Sequence, residues 1–156
     1  MKSLVNLLIK HNFTLATCES LTGGLFAATL TQIPGAGKIF KGGLVVYQNQ
    51  TKIKLAQVSP LTLEKSGAVS SECALEMAQN TQKILEAEMA ISFTGNAGPT
   101  ASENKPVGLV FISLSTQEKL INQTYQFSGS RGEIRKKVVR EGIKLIKSFV
   151  KSRCED

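Results

Sequence analysis

Histidine is nearly absent from this 156-residue chain: His11 alone carries an imidazole. A Ser-His-Asp arrangement therefore has little support, and the G-x-S-x-G nucleophile elbow is missing as well, since residues 18–22 read Cys-Glu-Ser-Leu-Thr. The three cysteines, Cys18, Cys73 and Cys154, are odd in number and lack metal-ligand spacing. That argues against a disulfide framework or a zinc site and fits a reducing cytoplasm. No apolar run approaches the roughly 20 residues a membrane helix needs. The opening stretch Met1–Lys10 resembles a signal h-region only briefly, because Asn6 interrupts it and no small-residue cleavage site follows; it reads as an amphipathic first helix. Internal repeats, linkers and low-complexity segments are also missing. A length of 156 residues with 42% hydrophobic content suits one well-buried domain over residues 1–156.

Acidic residues are few, 12 against 19 Lys and Arg, for a net charge of +7. The surplus is uneven: residues 131–156 hold nine basic and four acidic residues, a surplus of five, and residues 1–130 a surplus of only two. In that last segment Ile134, Val138, Gly142, Leu145 and Phe149 follow helical spacing, which puts Arg135, Lys136, Arg140, Lys144, Lys147 and Lys151 largely on the other side. A solvated face on a terminal helix explains this better than a nucleic-acid site, because no aromatic side chains are interleaved to stack bases.

What is present alternates between strand and helix patterns. The run Phe13–Thr17 reads as a strand, Thr22 to Gln32 as a helix stopped by Pro34-Gly35-Ala36-Gly37, Gly42–Tyr47 as a buried strand, and Asn49 to Ala56 as a short helix carrying Lys52. Thr62 to Lys65 adds a turn. Ser70 can cap the next helix, whose inner stripe is Ala74, Met77, Ala78, Thr81 and Leu85. Met89–Phe93 forms a strand ending in the turn-rich Thr94-Gly95-Asn96-Ala97-Gly98-Pro99, and Val107–Leu114 and Leu120–Phe127 form two strands turning near Gln117-Glu118. Interleaved elements with a late hairpin predict an α/β layered domain with a mixed sheet. Ligands of such sheets bind beyond the carboxyl ends of strands, where Ser20, Tyr47 to Lys52 and Thr94 to Gly98 would converge.

The segment Glu19-Ser20-Leu21-Thr22-Gly23-Gly24 places a serine where a strand gives way to a helix start, whose free N–H groups can hold or stabilise an anion. Serine needs a base, and a desolvated lysine such as Lys52 can be one. From pattern alone a surface Lys52 is the better reading, since 32 residues separate the two. The other marked residues have equally plain readings. Gly23 and Gly24 can serve helix–sheet packing, Thr22 can be a cap, and Glu19 a paired carboxylate orienting the strand end. Tyr47 can pack at a sheet edge with its hydroxyl in water, Cys18 can be a small core residue, and Arg131 either one more surface charge or a fork for phosphate or carboxylate.

Six ordered motifs shift that balance. Glu19-Ser20-x-Thr22-Gly23-Gly24, Gly42-Gly43-Leu44-Val45-Val46-Tyr47-x-Asn49-x-x-Lys52, Gly67-Ala68-Val69-Ser70, Thr94-Gly95-x-Ala97-Gly98-Pro99, Lys105-Pro106-Val107-Gly108 and Phe127-Ser128-Gly129-x-Arg131 together make nearly the whole chain resemble the CinA C-terminal domain family, whose enzymes are nicotinamide-nucleotide amidohydrolases. The resemblance implies a three-layer α/β/α fold and a Ser-Lys pair at Ser20 and Lys52, with supporting roles at Tyr47, Thr94 and Arg131. On this reading Ser20, Lys52 and Tyr47 form the catalytic set. The substrate site draws on Glu19, Thr22, Gly23, Gly24, Thr94, Gly95, Asn96, Ala97, Gly98 and Arg131, with no metal or organic cofactor.

The chain departs from the family pattern at Leu21, where Cys is usual, at Cys18, where a small residue is usual, at Asn96, usually apolar, and in Thr100–Asn104, usually richer in Gly. These departures leave the pair intact and bear on substrate fit. The expected reaction is hydrolysis of the carboxamide of nicotinamide mononucleotide to nicotinic acid mononucleotide and ammonia, a step of pyridine nucleotide salvage, with Arg131 or a helix N-terminus taking the phosphate. Family members are commonly multimeric, which implies a homo-oligomer. The alternative readings are a non-catalytic nucleotide-binding or partner module, with Thr22-Gly23-Gly24 cradling phosphate, and a nucleic-acid-associated domain using the basic helix.

Overall fold

A computed structural model describes residues 1–154; the last two residues of the expected 1–156 domain lie outside the described ones. The elements follow in the order α1 (Lys2–Lys10), β1 (Leu15–Glu19), α2 (Leu25–Thr31), a 3-10 turn (Ala36–Lys38), β2 (Phe40–Val45), α3 (Asn49–Ala56), α4 (Pro60–Ser66), α5 (Ser71–Ile84), β3 (Met89–Gly95), β4 (Leu109–Thr116), β5 (Leu120–Gln126) and α6 (Arg131–Cys154). Five strands form one sheet in the order β2-β1-β3-β4-β5. Strand β1 is parallel to both its neighbours, β2 and β3, whereas β3, β4 and β5 run antiparallel in turn, so the sheet is mixed as expected.

Alternation along the strands separates two packed layers. Leu15 of β1, Met89, Ile91 and Phe93 of β3, and Val110, Ile112 and Leu114 of β4 point into a large core with Leu4 and Leu8 of α1, Phe26 and Leu30 of α2, and Ile134, Val138, Leu145 and Phe149 of α6. The helical stripe read from the last segment is thus the face α6 buries. On the other side of the sheet, Cys18 packs with Val46, Ala56, Val58, Cys73 and Met77 in a smaller cluster under α3 and α5. With α4 packed against α5, this gives the α/β/α arrangement.

Element ends differ from the sequence reading where local chemistry intervenes. The helix expected from Thr22 begins at Leu25, because Gly23 and Gly24 adopt φ of +56° and +95° and turn the chain first. The turn expected at Thr62–Lys65 is the helix α4: Ser59 accepts a hydrogen bond from the Leu61 N–H (3.2 Å) and Pro60 stands at its first position. Ser70 caps α5 as expected, accepting from the Cys73 N–H at 3.1 Å, and Ala74, Met77, Ala78 and Thr81 are buried; Leu85 lies just past the helix end and is half-buried.

Candidate active site

Parallel register decides where the site forms. Glu19 stands level with Val45 of β2 and with Phe93 of β3, so the chain leaves all three strands at the same edge. The Ser20 N–H donates to the Phe93 carbonyl (3.0 Å) and the Val46 N–H to that of Glu19 (2.9 Å), extending the pairing one step past the strands. Ser20, Tyr47 and Thr94 thereby border one cavity of about 360 Å³, within the size range of small-molecule sites. A larger cleft of about 490 Å³ lies at the start of β3 and the end of β4; the Ser115 hydroxyl there is spent on Gln82.

Lys52 reaches the cavity from α3 and is only 1% exposed, a rare position for lysine. Its Nζ lies 3.0 Å from Ser20 Oγ and donates to the carbonyls of Val46 (2.8 Å) and Tyr47 (3.1 Å). Burial lowers its pKa from the ordinary lysine value, with the Glu103 carboxylate acting the other way. The thiols of Cys18 and Cys73 are themselves pushed up to about 12, by burial first of all, so they stay neutral beside Lys52. Cys18 is therefore a small core residue rather than a nucleophile.

Tyr47 differs from its expected place. Its side chain is half exposed, and its hydroxyl accepts from Arg131 Nη2 (2.7 Å) rather than touching Ser20 or Lys52; only its backbone carbonyl reaches the lysine. Arg131, at the first position of α6, also donates through Nη1 to the Gly98 carbonyl (2.6 Å), so it straps Tyr47 to the loop after β3. Thr94 is buried and donates to the Ala68 carbonyl (2.7 Å). Asn96 lines the cavity, but its amide is turned to the carbonyls of Ser102 (3.2 Å) and Lys105 (3.1 Å), closing the 96–106 loop on itself. Gly95 needs its lack of a side chain for the sheet, since a Cβ would stand 2.5 Å from the Leu109 carbonyl oxygen. Gly95, Ala97 and Gly98 nevertheless border the cavity.

Glu19, Thr22, Gly23 and Gly24, expected at the substrate, do not border the cavity. Glu19 is buried and accepts from the N–H groups of Phe26 (2.9 Å) and Ala27 (3.1 Å), so a side chain of this chain already occupies the start of α2 where an anion was expected. Thr22 is no cap. Gly24 takes that position, and the Thr22 hydroxyl is buried without a partner among the described residues. Leu21, the departure from the family cysteine, joins the large core while bordering the cavity.

Two side chains at or beside the cavity escaped the sequence reading. Glu103 lines the cavity and accepts from the N–H groups of Ala68 (2.7 Å) and Val69 (3.0 Å) and from Lys105 Nζ (3.2 Å). Burial alone would raise its pKa, but those bonds outweigh it and hold the carboxyl below its ordinary value. The opposite charge at Lys105 was the only local hint. Arg135, read as part of the solvated face, instead donates to the carbonyls of Leu21 (3.0 Å) and Thr22 (2.8 Å). Several other basic side chains of α6 also have partners within the chain, Lys137 on the Ser128 carbonyl, Lys144 on Glu141 and Lys147 on Ser3. No helix among the described residues is long and apolar enough to cross a membrane, and no cluster of three potential metal ligands occurs among them.

With this geometry in place, the chain compares as follows. The model of the CinA C-terminal domain matches residues 1–150. A protein described as competence-damage inducible from Halalkalibacterium halodurans is 45% identical over 152 residues, 97% of this chain and 36% of that protein. One of the same description from Listeria innocua is 42% identical over 146 residues, 92% of this chain and 35% of that protein. The chain therefore spans about a third of the length of the curated relatives it matches. A crystal structure of a CinA superfamily protein from Klebsiella pneumoniae superposes with a TM-score of 0.93 at 27% identity, covering 96% of this chain and 94% of that one.

Proposed function

The chain belongs to the CinA C-terminal domain family, and from that premise we propose that it is a serine amidohydrolase that converts nicotinamide mononucleotide to nicotinic acid mononucleotide and ammonia. The observation that carries the reading is the buried contact between Lys52 Nζ and Ser20 Oγ at 3.0 Å. A neutral amine has two N–H bonds and one lone pair. The carbonyls of Val46 and Tyr47 take the two N–H bonds, which leaves the lone pair for the Ser20 hydroxyl proton. Desolvation, which lowers the lysine pKa, favours that neutral form.

Each step then has a place for its proton. Ser20 Oγ attacks the carboxamide carbon as its proton passes to Lys52, forming a tetrahedral oxyanion. Lys52 returns that proton to the departing nitrogen, the C–N bond breaks, and ammonia leaves an acyl ester on Ser20. Water, deprotonated by Lys52, attacks the ester; the C–Oγ bond breaks and the serine recovers its proton. Backbone N–H groups at the oxyanion contribute about 3 kcal/mol each in enzymes of this type. Arg131, at the mouth between Tyr47 and Gly98, is the cation available for the substrate phosphate.

Ammonia release from nicotinamide mononucleotide by the wild type, Ser20→Ala and Lys52→Ala, with EDTA present and no metal added, tests the reading. Turnover that collapses in both variants is the expected result. A wild type that binds the nucleotide and releases no ammonia would leave a nucleotide-binding module instead.

A further inference from the structure

Ser20 sits on a turn that two oppositely charged side chains flank in sequence, one by its own position and one through its bonds. Glu19, immediately before it, is bonded to the first N–H groups of α2, and Arg135 of α6 is bonded to the carbonyls of Leu21 and Thr22, immediately after it. The turn itself is closed by the Gly23 N–H on the Ser20 carbonyl at 2.9 Å. A trans peptide points its C=O and the following N–H in opposite directions. Holding the Leu21 carbonyl therefore fixes the plane of the peptide that follows Leu21. Neither the Leu21 nor the Thr22 N–H meets a protein acceptor among the described residues. Leu21 and Ser20 border the cavity on that side.

We propose that Arg135 is a positioning residue: its guanidinium fixes the turn carrying Ser20 and so holds the Leu21 N–H, at the cavity wall, toward the carbonyl oxygen of an amide bound against Ser20 Oγ. The proposal rests on Ser20 being the nucleophile. An arginine suits the task because its planar fork spans two carbonyls at once, one through Nε and one through Nη2, whereas a lysine ammonium is a point donor on a flexible stem. Arg131 and Arg135 stand four residues apart and so share one face of α6. The first two turns of that helix thus bracket both walls of the cavity, Tyr47 and Gly98 through one arginine and the nucleophile turn through the other.

The test uses Arg135→Met and Arg135→Lys in the full chain, each checked for cooperative thermal unfolding. Two readouts follow: kcat and KM for ammonia release, and the rate at which a fluorophosphonate modifies Ser20. The modification displaces fluoride and builds a tetrahedral phosphoryl centre whose oxygen occupies the oxyanion position. Loss of an aligned oxyanion donor lowers kcat by roughly 100-fold, so both variants are expected to lose kcat on that scale while KM stays within about twofold. Fluorophosphonate labelling should slow in parallel, with the pH midpoint of activity unmoved because Lys52 is untouched. A merely structural role would lower the unfolding temperature and leave kcat per folded molecule intact, and that result overturns the proposal. Should Arg135→Met not fold, Arg135→Lys carries the same comparison. A wild type inert to both substrate and probe overturns the Ser20 reading and this inference together. An active wild type matched by its folded Arg135 variants overturns this inference alone.

Discussion

Arg131 Nη2 donates to the Tyr47 hydroxyl at 2.7 Å, joining residues 84 positions apart across the mouth of the cavity. The tyrosine is thus a partner of the arginine and stands off the Ser20–Lys52 pair, whose own bonds use only its backbone carbonyl.

Tyr47→Phe is therefore expected to change activity by less than about tenfold, since it removes one hydrogen bond, worth about 1 kcal/mol, and leaves that carbonyl in place. Arg131→Ala should act mainly on KM by removing the cation at the mouth. Steady-state kinetics on both variants checks this; a collapse of kcat in Tyr47→Phe would return the hydroxyl to the chemistry.

The lowered pKa of Lys52 fixes the direction of two pH effects. As a base the lysine must be neutral, so kcat/KM should rise with pH, with a midpoint below the ordinary lysine value of 10.5. Lys52→Arg, protonated throughout, should be inactive across the range. Stability follows the same group. Because the folded pKa lies below the unfolded one, the unfolded chain binds more protons between the two values. The cost of burying this charge is full below the folded pKa and is relieved as pH rises through that window. Wild type should accordingly gain stability relative to Lys52→Met between neutral and alkaline pH, measured by urea unfolding at each pH.

Glu103 has the opposite sign. Its folded pKa is held below the unfolded value, so its contribution is present above the unfolded pKa and is lost as pH falls through the folded one. Glu103→Ala leaves the N–H groups of Ala68 and Val69 unpaired and is expected to cost about 1–2 kcal/mol at neutral pH. The difference from wild type should shrink in acid. Chemical unfolding at pH 7 and pH 3 reads both numbers, and KM should rise with the loosened 67–70 wall.

Much of the framework was legible because it is written in local periods. The buried stripe Ile134, Val138, Gly142, Leu145 and Phe149 repeats at helical spacing and is the face α6 packs, and Ser70 announces its cap with a hydroxyl three residues before Cys73. The sequence also placed Ser20 and Tyr47 beyond strand ends, whereas Thr94, expected there too, is the penultimate residue of β3. Their common edge followed from the parallel order of β2, β1 and β3, a pairing between distant segments that no local period encodes.

Side-chain direction was decided by the tertiary structure alone. The segment Asn49–Ala56 carries little hydrophobic patterning, so nothing local marks Lys52 as buried; it is buried because α3 closes over the cluster of Cys18, Val46, Cys73 and Met77. Glu19 could orient toward a ligand or toward its own helix, and the sharp turn at Gly23-Gly24 brought the start of α2 within its reach. Arg135 looked like a solvated charge because its acceptors lie 113 and 114 residues away, and Glu103 went unmarked because its backbone donors lie 34 and 35 residues away. The amino-acid order determined which surfaces must be apolar and where the chain must turn. Only the assembled sheet, by bringing three strand ends and two loops to one edge, determined which polar groups lost their water and had to find each other instead.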